Sequence, residues 1–157
     1  MDEKDIRDAS LELLESVDEV YVTTIDEDGY PQTRCMFNLR SKKRFPKLID
    51  IFNDHKEDFM VLFTTNTSSE KIAQLKRNTA ACLYYCQPDK FRGLMFSGDI
   101  EILDDPDIRE ALWHEGWERY YPKGPHDPDH TVLRLYPKKA KGWYESRTFA
   151  FRLKEVT

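Results

Sequence analysis

The sequence predicts a mainly β protein, an antiparallel β-barrel of six to seven strands flanked by about three short helices. Three observations predict it. Runs rich in Val, Ile, Tyr, Phe and Thr recur along the chain, bounded by turn residues. Consecutive runs are joined by short connections, which favours antiparallel pairing. The chain has 157 residues, enough to bury a core without disulfides, and closing a sheet of that size removes the exposed edges of an open one.

The elements follow in order. Residues 3–17 place Ile6, Ala9, Leu13 and Val17 at helical spacing among Asp, Glu and Lys. Residues 19–38 read as a hairpin turning at Asp26-Glu27-Asp28-Gly29, with Pro31 near the start of the second strand, where a missing donor is tolerated. Residues 40–57 are polar and irregular, with a helical piece around Leu48, Ile51 and Phe52. A strand over 59–65 precedes a short helix over 68–77, and a strand over 79–86 follows. Residues 91–103 make a long strand in which Gly98 marks a bulge or a close backbone approach. Asp105-Pro106 opens a helix carrying Ile108, Leu112 and Trp113 and extending toward Trp117. A proline-rich loop over 121–129 leads into strands at 131–136, 140–144 and 148–153. These elements are read as one domain spanning residues 1–157.

Composition narrows the function. Hydrophobic residues make up 39% and charged residues 34%, the balance of a folded chain and not of a disordered one. Aromatics reach 13%, which favours strands, a ligand pocket or a subunit interface. A net charge of −5, from 24 basic and 29 acidic residues, argues against nucleic acid as the main partner. The basic group Arg40, Lys42, Lys43 and Arg44 reads as a solvated loop. Three cysteines, Cys35, Cys82 and Cys86, cannot all pair, the first residues are charged, and no apolar run approaches membrane-spanning length. The expectation is a cytoplasmic protein with no membrane partner.

One segment stands out for chemistry, Phe63-Thr64-Thr65-Asn66-Thr67-Ser68-Ser69-Glu70-Lys71. A strand ends in hydroxyl and amide side chains, and a helix begins. Thr67 and Glu70 have capping-box spacing. Lys71 falls in the first helical turn, where the helix dipole disfavours a cation. A bound phosphate would resolve that conflict; a capped surface helix with its lysine in water would also produce this pattern. Arg34 is the second candidate. Strand alternation puts it on the face opposite Cys35 and Phe37, where it needs an anionic partner, either a phosphate or a nearby carboxylate.

Other constellations carry less. Cys82 and Cys86 are too far apart along one strand to bridge and read as buried structural residues. His126-Asp127-Pro128-Asp129-His130 reads as a surface loop, because Pro128 prevents helical alignment of the histidines and no further ligands complete a metal site. The aromatic run Trp113, Trp117, Tyr120 and Tyr121 suits core or dimer packing, or a pocket wall. There is no nucleophile elbow and no phosphate-cradling glycine loop, and with six glycines dinucleotide binding in the Rossmann manner is excluded.

The pattern strand–Thr65–Asn66–x–x–Ser69–x–Lys71–helix, with Arg34 in the preceding hairpin and Asn78 before the next strand, resembles the phosphate-binding segment of FMN-binding split barrels of the pyridoxamine 5'-phosphate oxidase-like family. The tail is similar to the general stress protein 26 subgroup in Leu112-Trp113, Tyr121-Pro122-Lys123-Gly124, Asp127-Pro128-Asp129, Leu133-Arg134 and Gly142-Trp143. The resemblance implies FMN as cofactor, with Arg34, Ser69 and Lys71 holding its phosphate and Thr64 and Thr65 lining the ribityl and ring region. It places Cys35 and Met36 beside the flavin, Gly93 at the site from the opposite subunit of a homodimer, and Trp143 near the ring. FMN suits such a site: its phosphate wants cationic donors and its ring an aromatic or apolar slot.

The chain departs from the oxidases at several places, Gly93 among them, where they carry a polar side chain. Glu70 stands where they often have a basic residue, Leu39 where they carry a lysine, and Ser146-Arg147-Thr148-Phe149 where they have an Arg–x–His substrate-phosphate signature. The implied function is an FMN-dependent oxidoreductase acting on an unidentified small molecule, with no general acid or base evident. The alternatives are a flavin-binding stress protein with little turnover, or a module binding heme or a deazaflavin.

Overall fold

In the computed structural model, which describes residues 1–155, the chain runs α1 (Glu3–Ser16), β1 (Glu19–Ile25), β2 (Pro31–Phe37), α2 (Ile49–Phe52), β3 (Val61–Asn66), α3 (Glu70–Arg77), β4 (Ala80–Gln87), β5 (Arg92–Leu103), α4 (Pro106–Leu112), β6 (His130–Leu135), β7 (Lys139–Tyr144) and β8 (Arg147–Arg152). The protein is mainly β, and every strand pairing among the described residues is antiparallel. There are eight strands among these residues, the eight segments read one by one from the sequence although tallied there as six to seven, and the last of them, 147–152, pairs with β7 along its whole length.

Local chemistry sets these boundaries. Asp2 caps α1: its carboxylate accepts from the Asp5 amide at 2.8 Å, and Asp5 accepts in return from the Asp2 amide. The β1–β2 turn is held by Asp26, whose carboxylate accepts from the amides of Asp28 and Tyr30, and Gly29 supplies a φ of 85°. In β1, Val20, Val22 and Thr24 face inward while Glu19 and Tyr21 face out.

The sheet order is β2-β1-β4-β5-β6-β3, with β7 on β5 and β8 on β7. The long strand β5 serves two partners along one edge: Arg92–Ser97 pairs with β7 and Ile100–Leu103 with β6. Gly98 sits at the changeover. Its register with Ala81 is uninterrupted, so no bulge forms there. A Cβ at Gly98 would lie 3.0 Å from the Tyr136 carbonyl oxygen, so the glycine answers a close backbone approach. The hydrogen-bonded path ends at β2 and β3. The barrel is therefore split, and that gap makes room for a site.

Two cores flank the split half. Inside the sheet, Leu14, Val22, Phe63, Leu83, Tyr85, Leu94 and Phe96 belong to one cluster. Outside it, Phe45, Leu48 and Phe52 from segment 40–57 and Leu112 and Trp117 from the α4 region pack on Met60, Leu62 and Val132. Strand β3 is thus buried on both faces, which is why it reads as an unbroken apolar run. Segment 40–57 is a structural cover, and of the basic group expected in a solvated loop Lys42, Lys43 and Arg44 are exposed while Arg40 is not. Arg40 is 4% exposed; its guanidinium donates to the carbonyls of His55 and Met60 and lies over the Phe52 ring. Such a cation stays buried because its donors are satisfied. Lys42 pairs with Glu15 at 2.6 Å. Among the described residues no helix is long and apolar enough to cross a membrane.

Candidate cofactor site

The site is built where β3 gives way to α3. The helix starts at Glu70 with Ser69 as its cap: the Ser69 hydroxyl accepts from the Lys71 amide at 3.3 Å. Thr67, the expected cap, is otherwise engaged. Its hydroxyl donates to the Pro128 carbonyl at 2.9 Å and shares a hydrogen bond with Thr131. The turn is clasped from the 121–129 loop by Asp129, whose carboxylate accepts from the Asn66 side-chain amide at 2.6 Å and from the Ser68 amide at 2.8 Å. Those bonds hold the Asp129 carboxyl below its ordinary range.

Lys71 does not point at water. It is 8% exposed, and its ammonium donates to Thr65 at 2.5 Å and Ser69 at 2.9 Å. Both partners are neutral. Burial, and after it the charge of Arg34, pushes the Lys71 pKa down to about 8. Arg34 reaches inward as alternation requires. It donates to Thr24 at 2.6 Å and to the Gln32 carbonyl at 2.9 Å, with Gln74 at 3.4 Å. Burial lowers its pKa and the Glu70 charge opposes that shift, yet no carboxylate of the described residues forms an ion pair with either cation.

Both cations line a cavity of about 360 Å³ that also touches Cys35, Met36, Thr64 and Thr65. Six of the predicted residues therefore meet in one place, and Ser69 joins through Lys71. Gly93 and Trp143 are not among the residues lining it. They are paired across β5 and β7, with Trp143 packed on Tyr84 at a ring separation of 5.7 Å. A Cβ on Gly93 would lie 2.8 Å from both the Trp143 ring and the Tyr84 hydroxyl, so the glycine is what lets those rings close over the strand.

The cavity also takes Glu19, Phe37, Asn66, Trp117, Tyr120 and Tyr121. The aromatic wall is the part sequence reasoning left undecided. Trp117 and Tyr121 belong to the outer core and line the cavity at once. Trp117 lies in a separate 3-10 turn and does not extend α4. Burial pushes the Tyr121 phenol up to about 12, against a hydrogen bond with Thr64 that lowers it. Beneath it, His130 is 1% exposed, its ring 4.5 Å from that of Tyr121 and its Nδ1 on the Pro125 carbonyl. The 126–130 segment is therefore not wholly a surface loop. His126 reaches Glu110 at 2.7 Å instead. Cys82 and Cys86 are also less buried than expected, since both are half-exposed on the outer sheet face. The Cys35 thiol lies 3.6 Å from Glu19 and is raised by burial and then by that carboxylate.

Comparison with known proteins places this arrangement. The family model described as pyridoxamine 5'-phosphate oxidase matches residues 6–144. A crystal structure from Clostridium acetobutylicum, of a protein related to general stress protein 26 in the pyridoxinephosphate oxidase family, shares 35% identity. It covers 97% of this chain and 96% of its own, with a TM-score of 0.77. General stress protein 26 from Bacillus anthracis is 16% identical over 93% of this chain and 98% of its own, with a TM-score of 0.69, and supports the fold. An F420 reductase is 25% identical over 82% of this chain and 93% of its own, with a TM-score of 0.55. Comparison with curated proteins gives no match. With a split antiparallel barrel, a family pattern across residues 6–144 and 35% identity to a relative along nearly its full length, this chain belongs to the pyridoxamine 5'-phosphate oxidase family and is akin to its general stress protein 26 members.

Proposed function

We propose that this chain binds FMN in the cavity between β2 and β3 and serves as an FMN-dependent oxidoreductase for a small-molecule substrate. The observation that carries this reading is the buried ammonium of Lys71 beside the Arg34 guanidinium, with only neutral acceptors for both. Burying cations without a counterion is costly, and a phosphate dianion between them would offset that cost with charge-assisted hydrogen bonds. Ser69 aims Lys71, while Thr64 and Thr65 stand beside it for the ribityl chain. Trp117 and Tyr121 offer the flat apolar wall that a ring system needs, with Cys35 and Met36 on the strand opposite. FMN, when bound, supplies the electron transfer; the residues named here anchor it, orient it and keep water from one side.

The same reading makes the protein a homodimer of the cytoplasm. Gly93 and Trp143 do not line their own chain's cavity, while Trp143, Phe37 and Tyr21 are each about 40% exposed. A second copy that covers this face would bring its own Trp143 toward the flavin.

The test is spectral. Purified protein should carry a flavin absorbance band, and the Arg34→Ala/Lys71→Ala variant should bind FMN at least about a hundredfold more weakly, two charge-assisted bonds being worth roughly 1.5–3 kcal/mol each. Undiminished affinity in a folded double variant would refute the assignment, and a Soret band or deazaflavin spectrum would move the protein to another cofactor. A second reading, a flavin-holding stress protein with little turnover, is favoured by the sequence Arg147-Thr148-Phe149 where the oxidases carry Arg–x–His. Steady-state assays with reduced nicotinamide and varied acceptors separate the two.

A further inference from the structure

The outer face of β5, β7 and β8 carries a recess of about 450 Å³ that the cofactor reading does not use. Lys139, Lys141 and Arg152 line it with Met95 and Ala150 between them on the same face, while Ala140 and Phe151 turn inward to the core. Lys139 lies directly opposite Arg152 in the β7–β8 register, a like-charge pairing that brings two cations to about 5 Å at Cβ and is unfavourable by itself. Lys141 follows on the same face, beside Met95. Ser97, opposite Lys139 on β5, adds a hydroxyl to the lining.

An exposed lysine alone signifies little. The neighbouring recess of about 520 Å³ shows what this chain does with ordinary surface cations: Lys138 meets Asp99 at 2.7 Å and Arg134 meets Glu101 at 2.9 Å. Among the described residues, none of Lys139, Lys141 and Arg152 has such a partner. The chain has 29 acidic residues against 24 basic, and three cations left uncompensated around one recess run against that balance. We infer that this recess is a second anion site, distinct from the cofactor cavity, which takes a small organic anion: a phosphate or carboxylate head for the three cations on an apolar body that covers Met95 and Ala150.

Titration calorimetry on FMN-saturated protein tests it, with phenyl phosphate, benzoate and inorganic phosphate as probes. The expected result is saturable binding of one phenyl phosphate per chain at about millimolar concentration or below, weaker binding of inorganic phosphate for want of the apolar body, and a benzoate affinity that tells whether the head is read by charge or by shape. Lys139→Gln/Arg152→Gln should weaken phenyl phosphate binding about tenfold or more and leave FMN affinity unchanged. Arg34→Ala/Lys71→Ala should lose FMN and keep the probe, so failure of the flavin reading and failure of this one are distinguishable. Absence of saturable binding would overturn the inference, as would equal binding by Lys139→Gln/Arg152→Gln or loss of the probe in Arg34→Ala/Lys71→Ala. A wild-type chain that takes no probe, while Lys139→Gln/Arg152→Gln sediments more as monomer, would overturn it too and assign the cations to contact with a second copy.

Discussion

Lys71 concentrates the chemistry of the site in one side chain. Its pKa of about 8, brought down by burial and by Arg34, has two consequences of opposite sense. In the free protein the native state releases the proton near pH 8, while the unfolded chain holds it to about 10.4. The unfolded state then binds more protons across that interval, so this group makes the fold more stable as pH rises from about 8 to 10.4. A phosphate needs the charged form, so FMN affinity should fall as pH rises through 8. Flavin fluorescence titrations at pH 7 and pH 9.5 should show weaker binding at the higher pH, and Lys71→Ala should lose most of that dependence. An unchanged affinity across the interval in the wild-type chain would show that the ammonium does not meet the ligand. Glu70 adjoins this centre and its charge acts on Arg34, yet it forms no ion pair with either cation.

At the scale of elements, the β3–α3 turn does not stand alone. The stretch from Asn66 to Ser69 is tied to the loop before β6 by Asp129 and by Thr67 on Pro128, and Asp127 stiffens that loop by accepting from the amides of Lys123 and Asp129. The expected cap at Thr67 fails for this reason: its hydroxyl serves the clasp and Ser69 caps the helix. Asp129→Ala should release the Ser68 amide and the Asn66 side chain at a cost of about 1–3 kcal/mol. Amide exchange would report faster exchange at Ser68, and FMN should bind more weakly because Ser69 and Lys71 are no longer held in place. Unchanged protection at Ser68 in Asp129→Ala would show the clasp to be dispensable.

For the whole molecule, the sheet order leaves β2 and β3 as ends, and the outer sheet face keeps Tyr21, Phe37 and Trp143 in solvent. An apolar face of this kind is normally covered. Sedimentation should therefore find a dimer at micromolar concentration, and Trp143→Asp should shift it toward monomer while also weakening FMN binding, since the proposed site takes the partner's Trp143. A monomer that binds FMN with full affinity would separate the site from the second copy. The recess of Lys139, Lys141 and Arg152 occupies another part of this face, on strands β7 and β8.

What depends on short spacing was legible in the chain: the strands and their turns, the alternation that puts Arg34 opposite Cys35 and Phe37, and the Ser69–Lys71 step at the start of α3. Those features follow from backbone periodicity, capping and turn chemistry, which act within a few residues. It took the folded chain to show that Lys71 faces the interior, that Arg40 is buried in a cover over β3, that Thr67 belongs to a clasp and His130 lies buried, and that Trp117 and Tyr121 reach the same cavity as Arg34. Each of these depends on segments far apart in the chain meeting across the sheet. Burial and hydrogen-bond satisfaction are properties of that meeting, and local pattern does not contain them.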